Sequence, residues 1–229
     1  MKLASLFSGG KDSMYATYVA QNQGHEIKCL LSIFPKSDES HLLHHPNITW
    51  TKLQSQSMQI PQLTTVSNDD QTDNELSLLA NLLQNAIDEF HIEGLVHGGI
   101  KSNFQKEKFE KICSKLNLKV LAPLWDAEPV TYMNKLIDSK FDFIMTTVSS
   151  DGLDDSWLGK IISKSDVVML KSLSEKFGFN LNFEGGEAET FVINCPLFSH
   201  SIKINQSQKN WDNYRGRFEI VDAELNNHA

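Results

Sequence analysis

Residue types able to act on a polyphosphate are concentrated in the segment Ser8-Gly9-Gly10-Lys11-Asp12-Ser13, between an apolar run and an amphipathic stretch. Two glycines let backbone approach a ligand closely, and a helix beginning there supplies free N–H groups and a positive dipole end. Lys11 can neutralise phosphate charge, while Ser8 and Ser13 offer hydroxyls to phosphate oxygens. A tight strand-to-helix turn capped by Ser or Asp would account for the glycines and Asp12, but not for a lysine beside two serines. The spacing is not that of a Walker A loop, G-x-x-x-x-G-K-[ST].

A second segment, Glu184-Gly185-Gly186-Glu187-Ala188-Glu189-Thr190, sets three carboxylates around a double glycine. It makes a poor helix or strand and a good polar turn. On composition alone a solvated acidic hairpin turn is the plainer account. A third, Gly98-Gly99-Ile100-Lys101-Ser102-Asn103, ends in a serine that with Gln105 can either cap a helix or meet a ligand.

These segments need a frame to position them. Residues 3–7 read as a short buried strand, followed by a helix over 12–23 with Met14, Tyr15, Tyr18 and Val19 on one face. Residues 27–34 form an apolar strand with almost no alternation, as expected when both sheet faces are covered. A short helix at 51–58 leads to a strand at 63–66. Thr72 and Glu75 form a capping box for a helix faced by Leu76, Leu79, Leu83, Ile87 and Phe90 and stopped by Gly94. Residues 95–97 begin a fourth strand, ending at Gly98-Gly99. A helix from Ser102 and a strand at 120–121 follow. Strands alternating with helices imply βαβ units and a parallel sheet. Beyond Pro123-Leu124-Trp125 the pattern changes: a helix from Pro129, a strand over 141–148, a helix capped by Ser165 and ending at Gly178, then strand-like pieces at 190–193, 201–204 and 218–221. The expected fold class is α/β: a doubly wound, parallel, five-stranded sheet over residues 1–124, with a smaller α/β domain over 125–229. No linker marks the junction, so close packing is expected.

Composition narrows the function classes. A chain of 229 residues with 40% apolar and 22% charged residues can bury a substantial core and is not disordered. No apolar run nears the ~20 residues that span a bilayer, and the N-terminus is too short before its glycines for a signal peptide. Cytoplasm is the default location. Cys29, Cys113 and Cys195 are an odd number without a C-x-x-C pair, so reduced, partly buried thiols are expected. A net charge of −8 argues against a broad nucleic-acid surface. His41, His44 and His45 cluster in a polar loop and read as solvated residues.

Loop 8–13 resembles the SGGKDS signature of the ATP-pyrophosphatase, or PP-loop, family, whose enzymes cleave ATP to AMP and pyrophosphate while adenylating a substrate. The pair SGGKDS plus EGGExET looks like the diphthine–ammonia ligase family of PP-loop enzymes. Further stretches look like landmarks of that family: His45-Pro46-Asn47-Ile48, Gly99-Ile100-Lys101-Ser102 with Gln105, Pro123-Leu124-Trp125, Asp154-Asp155-Ser156-Trp157-Leu158-Gly159 and Pro196-Leu197-Phe198. Together they span nearly the whole chain. Ala188 departs from the aromatic residue expected within EGGExET. The additional C-terminal domains of longer relatives are not expected.

The resemblance implies an adenine nucleotide alpha hydrolase-like fold, with the first and fourth strands adjacent at the switch point and both glycine turns facing one crevice. It implies ATP-dependent amidation of diphthine on elongation factor 2, by ammonia, through an acyl-adenylate. ATP would contact Ser8, Gly9, Gly10, Lys11, Asp12, Ser13, Gly99 and Ser102. Catalytic work would fall to Lys11, Asp12, Glu187 and Glu189. Mg²⁺ would be held by Asp12, Glu184 and Glu187, and the three carboxylates of the acidic turn could instead bind ammonium or take its proton. Trp125 or Trp157 could face the trimethylammonium group of diphthine, with core packing the plainer account for both. No membrane or nucleic-acid partner is expected, and a homodimer is left open. Two rivals stand beside this reading: a PP-loop tRNA-modifying enzyme, disfavoured by the acidic balance and scattered cysteines, and a non-catalytic nucleotide sensor.

Overall fold

The computed structural model describes residues 1–34, 47–67 and 72–226. His41, His44 and His45, His45-Pro46 and the side chain of Thr72 lie outside the described residues.

Five strands, β1 (Lys2–Leu6), β2 (Glu26–Phe34), β3 (Gln62–Val66), β4 (Gly94–Val96) and β5 (Lys119–Leu121), form one sheet in the order β3-β2-β1-β4-β5. Every pairing in it is parallel. The winding therefore reverses between β1 and β4, which places a ligand crevice beyond their carboxyl ends. Four helices connect these strands: α1 (Lys11–Asn22), α2 (Thr51–Met58), α3 (Thr72–Phe90) and α4 (Asn103–Lys115). Alternate residues of the strands feed two cores, which explains the absence of polar alternation. Ala4, Cys29, Leu31, Ile33 and Leu95 pack under α3 and α4 with Leu79, Leu83 and Phe109. Leu3, Leu30 and Val96 face the other way, towards Met14 and Tyr15 of α1.

The remainder of the chain holds α5 (Pro129–Asp138), β6 (Asp142–Val148), α6 (Lys164–Phe177), β7 (Ala188–Asn194), β8 (Ile202–Trp211) and β9 (Gly216–Leu225). These strands make a second sheet, β7-β6-β9-β8, that is antiparallel throughout. Its buried residues Phe143, Met145, Val192 and Ile220 join the core of Leu3, Met14 and Leu30, so both sheets share one hydrophobic interior. That continuity is why no linker composition marks the junction.

Three local expectations are corrected. Ser163, not Ser165, caps α6: its hydroxyl accepts from Asp166 N while the Asp166 carboxylate accepts from Ser163 N. The reciprocal pair needs a three-residue spacing, which places Ser165 inside the first turn. Helix α3 stops at Phe90, where His91 adopts φ 54°, and Gly94 belongs to β4. Strands β8 and β9 each run ten residues. Residues 205–210 of β8 are exposed on both faces, so no apolar alternation announced them.

Candidate active site

Loop 8–13 closes the carboxyl end of β1 and opens α1. Gly10 is the N-cap of α1 and has no side chain to cap it, leaving the first turn to other partners. Gly9 has φ +81°, and a Cβ there would lie 2.5 Å from Gln54 Oε1, so both conformation and space require glycine. Ser8 Oγ and Ser13 Oγ lie 3.1 Å apart across the turn, and Ser13 Oγ donates to Gly10 O at 3.2 Å. The fourth-strand turn meets this loop as expected: a Cβ on Gly98 would stand 2.5 Å from the Asp12 backbone. Gly99 N donates to His97 Nδ1 at 3.1 Å, and Ser102 caps α4 by accepting from Gln105 N. Capping is thus an observed role of Ser102.

The loop is not the open turn that its glycines suggest. Lys11 is 1% exposed, because Tyr132 of α5 and residues 182–183 before the acidic turn close around its side chain. Its Nζ donates to both Asp12 carboxylate oxygens, at 3.0 and 2.8 Å, and to Asn182 O at 2.7 Å. The same ammonium lies 5.3 Å from the Phe183 ring centroid and 5.9 Å from that of Tyr132. Lys11 N donates to Thr190 Oγ1 in β7, and Val192 N to Gly9 O. From α2, Gln54 Nε2 donates to Gly9 O and Val192 O. Loop 8–13 is therefore held by both halves of the chain.

The acidic turn separates its three carboxylates. Glu184 reaches the crevice and accepts from Ile100 N at 3.3 Å and Lys101 N at 3.1 Å. Burial, reinforced by the Asp12 charge, raises its proton affinity, against the pull of Lys11 and those two N–H groups. Glu187 folds back on its own turn, accepting from Asn180 N and Gly185 N at 2.8 Å each. Glu189 lies in β7, where successive side chains alternate between faces. Since Thr190 turns to loop 8–13, Glu189 projects from the opposite face, opposite Thr147. Ala188 is buried at the start of β7.

The expected metal set of Asp12, Glu184 and Glu187 is not gathered into one cluster. Among the described residues no three His, Cys, Asp or Glu side chains are arranged to hold a metal ion. Asp12 remains a third exposed at the crevice. Trp157 is buried at 4% exposure, with Lys160 Nζ 5.0 Å from its ring, whereas Trp125 is half-buried with Lys106 Nζ at 4.4 Å. The three cysteines are buried, their thiols pushed up to about 12, chiefly by burial, and are unreactive at neutral pH.

A chain with loop 8–13 facing a glycine-flanked carboxylate turn, on this pair of sheets, has relatives. The family model of the diphthamide synthase N-terminal domain matches residues 1–120, and that of its C-terminal domain residues 128–225. The chain belongs to the diphthamide synthase family. A relative from Danio rerio named diphthine–ammonia ligase is 32% identical, over 91% of this chain and 88% of its own length. One of the same name from Bos taurus is 31% identical, over 91% and 84%. That from Schizosaccharomyces pombe is 28% identical over 91% of this chain, which spans 37% of the relative. Among solved structures, a predicted subunit of tRNA methyltransferase from Methanocaldococcus jannaschii superposes with a TM-score of 0.42 at 12% identity, covering 86% of this chain and 98% of that one; the likeness is too loose to bear on fold or function.

In this member of the diphthamide synthase family, three site residues carried no assignment from sequence. Tyr132 of α5 donates its hydroxyl to Asp12 Oδ1 at 2.6 Å. Burial first, then the Asp12 carboxylate, raise its phenol's proton affinity and keep it a donor. Thr190 and Asn182 hold the loop through Lys11. The one available signal was alternation in Glu189-Thr190, which sets the acid and the hydroxyl on opposite faces.

Proposed function

We propose that this chain is a diphthine–ammonia ligase, joining ammonia to the carboxylate of diphthine with consumption of ATP. The reading is carried by loop 8–13 and Glu184 facing one crevice, in a chain whose relatives bear that name. A carboxylate resists amide formation because its oxygen leaves poorly. Attack of that oxygen on the α-phosphorus of ATP expels pyrophosphate and gives an acyl-adenylate, from which AMP leaves readily when ammonia attacks the acyl carbon. Loop 8–13 binds the triphosphate, with the N–H groups of the first turn of α1 beyond Lys11 and the Ser8 and Ser13 hydroxyls set against developing negative charge. Lys11, now paired with Asp12, supplies the cation at that loop.

Mg²⁺ normally takes one or two carboxylates plus phosphate oxygens, and the partly exposed carboxylate of Asp12 suits that set, with Tyr132 orienting it. Bound there, Mg²⁺ would offset triphosphate charge. Glu184 is the turn's carboxylate for ammonium, since burial favours its taking a proton. Glu187 shapes the turn. Residues 1–124 serve as the ATP-binding domain and 125–229 as the acceptor-binding domain, the acceptor being elongation factor 2. No helix among the described residues is long and apolar enough to cross a membrane.

The test is incubation with ATP, Mg²⁺, ammonium and diphthine-bearing elongation factor 2. Mass spectrometry should find the acceptor carboxylate converted to an amide, with AMP and pyrophosphate accumulating together. ADP and orthophosphate as main products would sink the assignment.

A further inference from the structure

The carboxamide of Asn182 is buried at 1% exposure, and neither its Oδ1 nor its Nδ2 has a hydrogen-bond partner among the described residues. Buried polar side-chain atoms are nearly always paired, so a carboxamide with both ends open calls for a small molecule that can donate and accept. Its place is specific. The Asn182 backbone oxygen accepts from Lys11 Nζ, and the chain then passes through Phe183, at φ 64°, into the turn that delivers Glu184 to the crevice.

We propose that the Asn182 carboxamide is a subsite for neutral ammonia, a reading that rests on the ligase assignment above. Oδ1 accepts one N–H of ammonia and an Nδ2–H donates to its lone pair. Ammonium, with four donors and no lone pair, leaves Nδ2 unpaired. The subsite therefore selects the form that can attack. Once ammonia turns out of the Nδ2–H bond, its lone pair forms the C–N bond at the acyl carbon. The acyl–oxygen bond to the adenylate breaks with its electrons leaving on AMP, and the proton lost from nitrogen passes through water to the Glu184 carboxylate.

The experiment measures ammonium-dependent amidation by the full chain, from neutral pH upward, for wild type, Asn182→Ala and Asn182→Asp. In Asn182→Ala, which keeps the backbone oxygen that accepts from Lys11 Nζ, the KM for ammonium should rise on the order of tenfold, with the KM for ATP and the ammonia-independent release of AMP unchanged. In wild type the KM, expressed as total ammonium, should fall as pH rises and more ammonia is neutral. Asn182→Asp places there a carboxylate that accepts but cannot donate, so it prefers ammonium and should flatten that dependence. A folded Asn182→Ala with a wild-type ammonium KM would mean that the carboxamide holds structural water, and the subsite is overturned. If Asn182→Ala does not fold, Asn182→Asp decides: an unchanged pH dependence overturns the proposal. A wild-type chain that makes no amide overturns the ligase assignment itself, whereas a normal wild type with indifferent variants overturns only the subsite.

Discussion

Acidification should destabilise this protein through one histidine. His97, 2% exposed, stands at the end of β4 with its Nδ1 accepting from Gly99 N and its ring edge-on to Phe109 at 5.1 Å. Burial, with a smaller contribution from the Lys106 ammonium, lowers its pKa from 6.5 to about 4. A base with a depressed folded pKa binds fewer protons folded than unfolded between those values, so stability is full above 6.5 and lost as pH falls towards 4. Each pH unit of difference is worth about 1.4 kcal/mol, which gives a limit of about 3 kcal/mol and about 2 kcal/mol already lost near pH 5. His97→Gln keeps an acceptor for Gly99 N but cannot titrate. Denaturant unfolding at pH 7.5 and 5.0 should show wild type losing about 2 kcal/mol more than the variant on acidification. Glu184, whose raised proton affinity acts with the opposite sign, is common to both proteins and cancels. Equal losses in the two proteins would refute the assignment of a buried neutral imidazole.

Lys11→Met should slow pyrophosphate release on the order of 10²-fold or more. It should also lower unfolding stability by about 1–3 kcal/mol, because Asp12 and Asn182 O lose their buried partner; normal release by the folded variant would remove the loop from the mechanism. Tyr132→Phe removes the hydroxyl that orients Asp12 and should raise the Mg²⁺ needed for half-maximal rate several-fold with little change in circular dichroism; an unchanged Mg²⁺ requirement makes Tyr132 a packing residue. Glu184→Gln should lower amidation on the order of 10²-fold while calorimetric ATP affinity moves little. If ATP binding at fixed Mg²⁺ collapses with it, Glu184 belongs to the metal instead. Glu189→Gln, on the other face of β7, should amidate much nearer the wild-type rate than Glu184→Gln.

The parallel sheet, loop 8–13, the opening of α4 and the EGGExET turn were legible because each is encoded locally. Uninterrupted apolar strands, two glycines before a helix and a serine three residues before its partner all act within one or two turns of chain. Residue type could not say which carboxylate of 184–190 faces the loop. That follows from backbone N–H groups at 100 and 101 claiming Glu184, from Asn180 and Gly185 claiming Glu187, and from strand alternation turning Glu189 away. Nor could it show Lys11 buried, since a lysine in a glycine turn reads as solvated until Tyr132 and residues 182–183 of the C-terminal half close around it. Tyr132, Asn182 and Thr190 reach loop 8–13 from 120, 171 and 179 residues away in sequence. Local pattern carries no information at that range. What brings them there is the shared core of Leu3, Met14, Phe143 and Val192, which fixes the two sheets against each other and so decides which polar groups meet.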